Sequence, residues 1–100
     1  MKVIWSPLAI ERAYDEARYI AQDKPQAALA WLEGLFESTD RLEKFPLSGR
    51  VVAEVGLPGF REIIYESHRV IYRVEKSTVA ILTVRRASRL LDPSELMGAG

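Results

Sequence analysis

Arg61, Arg69, Arg73, Arg85, Arg86 and Arg89 are set among apolar and β-branched residues in the stretch Phe60–Arg89, FREIIYESHRVIYRVEKSTVAILTVRRASR. A guanidinium stays protonated near neutrality and presents a planar fork of donors. It therefore holds phosphate or carboxylate well and shuttles protons poorly. On strands, such residues put cationic side chains on a surface that could otherwise have been plain core. The pattern asks for a partner that is anionic or that supplies carboxylates. His68 is the only histidine and sits at an expected turn, where it reads as structural. Tyr65 and Tyr72 read as core residues, and no cysteine is present to build a disulfide framework or a thiolate metal site.

The formal net charge is zero, which argues against non-specific coating of nucleic acid, because that affinity scales with the phosphates neutralised. The charge is unevenly spread. Residues 1–50 carry 7 Lys/Arg against 8 Asp/Glu, a net of −1, whereas residues 61–89 carry 7 against 3, a net of +4. One local basic site is compatible with that balance. At 100 residues and 48% hydrophobic content the chain can bury one modest core. A single domain over residues 1–97 is expected, with 98–100 as a frayed tail. No apolar run approaches the roughly 20 residues needed to span a bilayer. The first residues do not resemble a secretion signal, and a cytoplasmic location is expected.

The elements that must position the arginines follow from the hydrophobic pattern. Lys2–Trp5 reads as a strand. Ser6-Pro7 then starts a helix, with Ser as N-cap and Pro at the first helical position. Leu8, Ile10, Ala13, Ala17, Ile20 and Ala21 follow mostly at helical spacing. Asp23-Lys24-Pro25 repeats the start signal for a second helix. Its stripe is Ala28, Leu32, Leu35, Thr39 and Leu42, widened by Leu29, Trp31, Phe36 and Phe45. Pro46 and Gly49 end that helix, and the short link near residue 23 makes an antiparallel helix hairpin. Residues 46–60 form a loop with a short extended piece at Val51–Val55. Three antiparallel strands are expected over about 61–66, 69–75 and 78–86. Asp92-Pro93 is a capping pattern for one helical turn in the tail.

With Ser67-His68 and Lys76-Ser77 as turn centres, Tyr65 pairs with Val70 and Ile63 with Tyr72. Val74, Val79 and Ile81 share their apolar face, which takes the helix hairpin. The opposite face then shows Glu62, Ile64, Glu66, Arg69, Ile71, Arg73, Leu82, Val84 and Arg86, half apolar and half charged, as suits a groove for a partner chain. In this register Glu62 lies opposite Arg73 and Glu66 opposite Arg69. Arg85, Arg86 and Arg89 have no carboxylate nearby in sequence until Asp92. Neither turn has Asn-Gly chemistry, and a one-residue slip would exchange the faces. Trp5 and Trp31 are expected between helices and sheet. The acidic helix positions Glu11, Asp15, Glu16, Glu33, Glu37, Asp40 and Glu43 read as a solvated surface and no metal site.

The order Trp5-Ser6-Pro7-x-Ala9, Pro25-x-x-Ala28, Leu42-x-x-Phe45-Pro46-x-x-Gly49-Arg50, Arg61-Glu62-Ile63, Arg69-Val70-Ile71-Tyr72-Arg73 and Val79-x-Ile81-Leu82-x-Val84 before a basic tail is specific as a set. It resembles the RelE/ParE toxin superfamily of type II toxin–antitoxin systems, closest to its ParE-like branch, over roughly residues 2–90. The resemblance implies an α+β fold, β-αα-βββ, with an antiparallel sheet and a two-helix hairpin on one face. It also implies a cognate antitoxin (ParD-like or similar), no cofactor, and one of two targets. ParE-like members poison DNA gyrase; RelE-like members cut messenger RNA in the ribosomal A site.

RNA cleavage by a 2′-hydroxyl needs a base, an acid and cations around the phosphate. Arg61, Arg69 and Arg86 are the candidates for such a site, with Arg85 as a further cation. Arg86 falls where many relatives have His, in Val84-Arg85-Arg86-Ala87-Ser88-Arg89, and Leu90-Leu91 stand where several ribonuclease members use Tyr. Both departures favour the binding toxin over the enzyme. On that reading Arg69, Arg73, Arg85, Arg86 and Arg89 form a basic surface for target or antitoxin, and Ile64, Ile71 and Leu82 its apolar floor. A family member that only binds its partner, without toxicity, is the third reading.

Overall fold

The computed structural model describes residues 1–88 and 94–97, and its elements run strand, two helices, four strands and a short helix. Strand β1 (Lys2–Trp5) leads into helix α1 (Pro7–Ala21) through Ser6, whose hydroxyl accepts the Ala9 N–H at 3.0 Å. Pro7 occupies the first turn, as its missing N–H allows. Ala9, Ala13 and Ala17 form the buried stripe of α1, small enough for the helix backbone to lie close to its neighbours. Helix α2 (Pro25–Ser38) follows after three residues. Its N-cap is Lys24, with no side-chain hydrogen bond, so the expected Asp23 cap is not made. The helix also ends earlier than Pro46 and Gly49 signal: a 3-10 turn at Asp40–Glu43 carries Leu42 into the core. Leu29 and Phe45, expected in the apolar stripe, are exposed instead.

The sheet has five strands in the order β1-β5-β4-β3-β2, with β2 at Arg50–Val51, β3 at Phe60–Tyr65, β4 at His68–Val74 and β5 at Thr78–Arg86. Strand β1 runs parallel to β5, Val3 beside Val79 and Trp5 beside Ile81, while the other pairs are antiparallel. The α+β architecture of a helix pair on one sheet face is thus as expected, with β1 and β2 extending the sheet at its two edges. The main core lies between helices and sheet: Trp31, Leu35, Ile63, Val70, Tyr72, Val79 and Ile81 are all buried there. Trp5 packs edge-on to Phe36 at 4.7 Å between ring centroids.

Two register details correct the expected pairing. The β3–β4 turn is Glu66-Ser67, with Glu66 at φ 52, and pairs Tyr65 with His68 and Ile63 with Val70. This is a two-residue shift from the expected pairs, so every side chain keeps its face. The tighter turn brings His68 into the strand, where its ring lies edge-on to Trp31 at 5.1 Å. Strand β5 then bulges at Leu82. Tyr72 pairs with Ile81, but Ile71 pairs with Thr83 and Val70 with Val84. The extra residue exchanges the faces of everything beyond it. Val84 and Arg86 therefore lie on the helix side, and Arg85 moves to the other face beside Arg69. The bulge sits where β1 departs: the Ser6 hydroxyl donates to the Leu82 carbonyl at 3.1 Å, and the Ser6 N–H to the Ile81 carbonyl at 2.9 Å.

The face away from the helices is covered as well. Val52, Ile71, Leu82 and Leu96 make a second buried cluster, flanked by Val55, Phe60 and Ala80. Leu96 belongs to a four-residue helix α3 (Ser94–Met97). The one helical turn expected in the tail is present, whereas Asp92-Pro93 and residues 98–100 lie outside the described residues. Among the described residues no helix is long and apolar enough to cross a membrane.

Candidate functional site

The arginines expected to form one surface are divided among three carboxylate clusters, each assembled from segments distant in sequence. On the face away from the helices, Arg69 of β4 is 7% exposed. Its Nη atoms donate to both oxygens of Glu54 at 2.7 and 2.9 Å, and its Nε donates to Glu62 at 2.5 Å. Glu62, itself buried, also accepts from Arg50 Nε at 2.7 Å. Donating to the Glu54 carboxylate holds the Arg69 proton even more firmly than usual, against burial, which works the other way. Arg69 is therefore a neutralised structural cation. Its partner is Glu62 on the diagonal, together with Glu54 from the loop, and the expected pairing with Glu66 is not made.

On the helix side, Glu16 of α1 draws in two residues of the sheet. It accepts from His68 Nε2 at 3.0 Å and from Arg86 Nε at 3.3 Å, and the Arg86 guanidinium lies 4.7 Å over the Tyr19 ring. The Glu16 charge raises the Arg86 pKa further. His68 Nδ1 is buried with no hydrogen-bond partner among the described residues. Glu16, expected on a solvated acidic surface, is a half-buried anchor instead. Arg86, expected without a carboxylate partner, is held by a residue 70 positions away.

The third cluster joins α1, β5 and α3. Glu95 is 7% exposed, accepts from Arg12 Nε at 3.0 Å, and is ion-paired with Arg85 Nη1. The Nε of Arg85 is buried with no hydrogen-bond partner among the described residues. Between the second and third clusters runs a groove of about 260 Å³ lined by Arg12, Asp15, Glu16, Val84, Arg85 and Arg86. Five of its six lining residues are charged.

The remaining candidates are dispersed. Arg73 pairs with Glu75, two residues on, at 2.6 Å and in solvent, and the expected cross-strand pair with Glu62 is absent. Arg61 donates to the carbonyls of Pro58, Leu47 and Gly49 at 2.9, 3.3 and 3.0 Å, pinning the 46–58 loop. Of the expected apolar floor, Ile64 is 48% exposed, but Ile71 and Leu82 are fully covered by the second core. Arg89 lies outside the described residues. Arg61, Arg69 and Arg86 do not surround one point: Arg61, opposite Tyr72, and Arg86, opposite His68, share the helix side, and Arg69 projects from the other face. Arg12, Glu16, Glu54 and Glu95 were not singled out from the sequence as arginine partners. Their pairing is non-local, and the sequence signal is an excess of carboxylates over cations in the two helices.

Against this geometry, the family model for the ParE toxin of type II toxin–antitoxin systems, parDE, matches residues 3–91. No curated protein matches the chain. Among solved structures, the chromosomal ParDE system from P. aeruginosa is similar, with a TM-score of 0.74 at 20% identity, covering 86% of this chain and 95% of the other. A YoeB/ParE toxin from Agrobacterium tumefaciens gives 0.57 at 17% identity, covering 86% and 98%. The RelBE2 toxin–antitoxin complex from Mycobacterium tuberculosis gives 0.53 at 22% identity, covering 85% and 95%. At these identities the structural matches establish the shared fold. The match over residues 3–91, carried on that fold, makes the chain a member of the ParE toxin family of type II toxin–antitoxin systems, within the RelE/ParE superfamily.

Proposed function

We propose that the chain is a toxin that acts by binding, inhibiting DNA gyrase, and is kept inactive by a cognate ParD-like antitoxin. The observation that carries the binding reading is the state of position 86. A proton-transferring residue there would favour a ribonuclease, whereas the chain has a guanidinium clamped by Glu16 and stacked on Tyr19. Such a group is a fixed cation, suited to holding an anion and unsuited to moving protons. The dispersal of Arg61, Arg69 and Arg86 over two faces argues the same way, because electrostatic stabilisation of one phosphate needs its cations convergent. The family is that of the parDE toxins, and similar solved structures include a ParDE system and a RelBE2 toxin–antitoxin complex, which supports an antitoxin partner.

The test is induction of the chain in cells, with a gyrase supercoiling assay on the purified protein. The expected outcome is filamentation with DNA-damage signalling, intact messages and loss of supercoiling. Cleaved messages with halted translation would replace this reading with the ribosome-dependent ribonuclease. Absence of any growth defect would leave only partner binding.

A further inference from the structure

A four-residue helix is far too short to hold itself together in water, so α3 is placed by what its side chains touch. Two consecutive residues do this. Glu95 is drawn in by Arg12 and Arg85, and Leu96 enters the cluster of Ile71, Leu82 and Val52; the two are 7% and 6% exposed. The seats belong to β4, β5, α1 and the 52–55 loop, elements anchored independently of the tail. Among the described residues the carboxylate seat also has a donor to spare, since Arg85 Nε is buried without an acceptor there.

We propose that this surface is a docking site for a partner segment in which a carboxylate is followed directly by an aliphatic residue. The chain's own Glu95-Leu96 occupies it as a built-in competitor. The partner must be acidic, because the polar seat is two arginines, and aliphatic at the next position, because the floor is Ile71 and Leu82. Occupation from within lowers the apparent affinity for any such partner by the ratio of covered to uncovered molecules. The proposal is independent of what the toxin acts on.

The experiment uses the full-length chain and a fluorescein-labelled synthetic peptide with the sequence of residues 90–100, read by anisotropy. The variant Glu95→Lys, Leu96→Ser releases the tail, since a lysine is repelled by Arg12 and Arg85. It is expected to bind the peptide about ten-fold more tightly than wild type. A peptide carrying the same two substitutions should not bind, and Arg85→Ala in the released background should abolish the gain. Circular dichroism checks that the variant folds. If it does not, Glu95→Gln, which keeps the shape and removes the charge, carries the test with a gain of about three-fold. Equal affinity for wild type and Glu95→Gln, or no binding to a folded released variant, would overturn the proposal. Because neither gyrase nor antitoxin is present in the assay, such a failure leaves the toxin reading where it stands.

Discussion

Arginine is one residue type in this chain but performs several jobs, and its surroundings decide which. Arg69 is sealed between Glu54 and Glu62, with Glu62 itself 4% exposed. Removing one partner of such a pair leaves an uncompensated buried charge, typically worth about 3–5 kcal/mol, although Arg50 remains on Glu62 to soften the loss. Arg69→Ala is therefore expected to lower unfolding stability by about 3 kcal/mol in a urea titration. Arg73, paired with Glu75 in solvent, should change it by less than about 0.5 kcal/mol when replaced by alanine. Equal effects of the two substitutions would contradict the division into structural and surface arginines. The sequence could place both on strands of one sheet face, and it did. It could not show that Glu54, from a loop 15 residues upstream, would neutralise one of them.

Two backbone irregularities set which side chains share a face. The β3–β4 turn holds Glu66 at φ 52, a conformation that costs a side-chain-bearing residue about 1–2 kcal/mol and that asparagine tolerates better. Glu66→Asn should accordingly raise the urea midpoint, by an amount equivalent to about 0.5–1 kcal/mol, without altering the sheet. A lowered midpoint would mean that the Glu66 carboxylate matters more than its backbone. The other irregularity, the bulge at Leu82, explains the main misreading of the sequence. Periodicity correctly assigned Ile63, Val70, Tyr72, Val79 and Ile81 to the helix side and Ile71 and Leu82 to the other. Alternation carried past residue 82 then put Val84 and Arg86 on the wrong face. Nothing local marks the bulge, which carries neither Gly nor Pro. It is stabilised by the hydroxyl of Ser6, 76 residues away. The helices were legible because Ser6-Pro7 and the alanine stripe are local signals. The covering of the second face was not, because it depends on where a short tail helix lands.

Across the whole molecule, ordinary strand alternation sends adjacent residues Arg85 and Arg86 to different faces, and the bulge decides which of the two faces the helices. Arg85 faces the second core through Glu95, while Arg86 faces α1 through Glu16 and Tyr19. Single substitutions at these neighbours therefore interrogate two surfaces of the toxin separately. Arg86 is about one-third exposed and Glu16 keeps His68 as a partner after its loss, so Arg86→Ala should leave stability little changed. If the Arg86–Tyr19 surface beside α1 meets the target, that variant should lose most gyrase inhibition and growth arrest while its unfolding curve stays close to wild type. Arg85→Ala should instead loosen α3 and leave inhibition largely intact. The reverse pattern would move the target surface to the opposite face. Wild-type toxicity from the double variant Arg85→Ala, Arg86→Ala would sink the assignment of the β5 end altogether, since it would leave neither face of that strand end needed for inhibition.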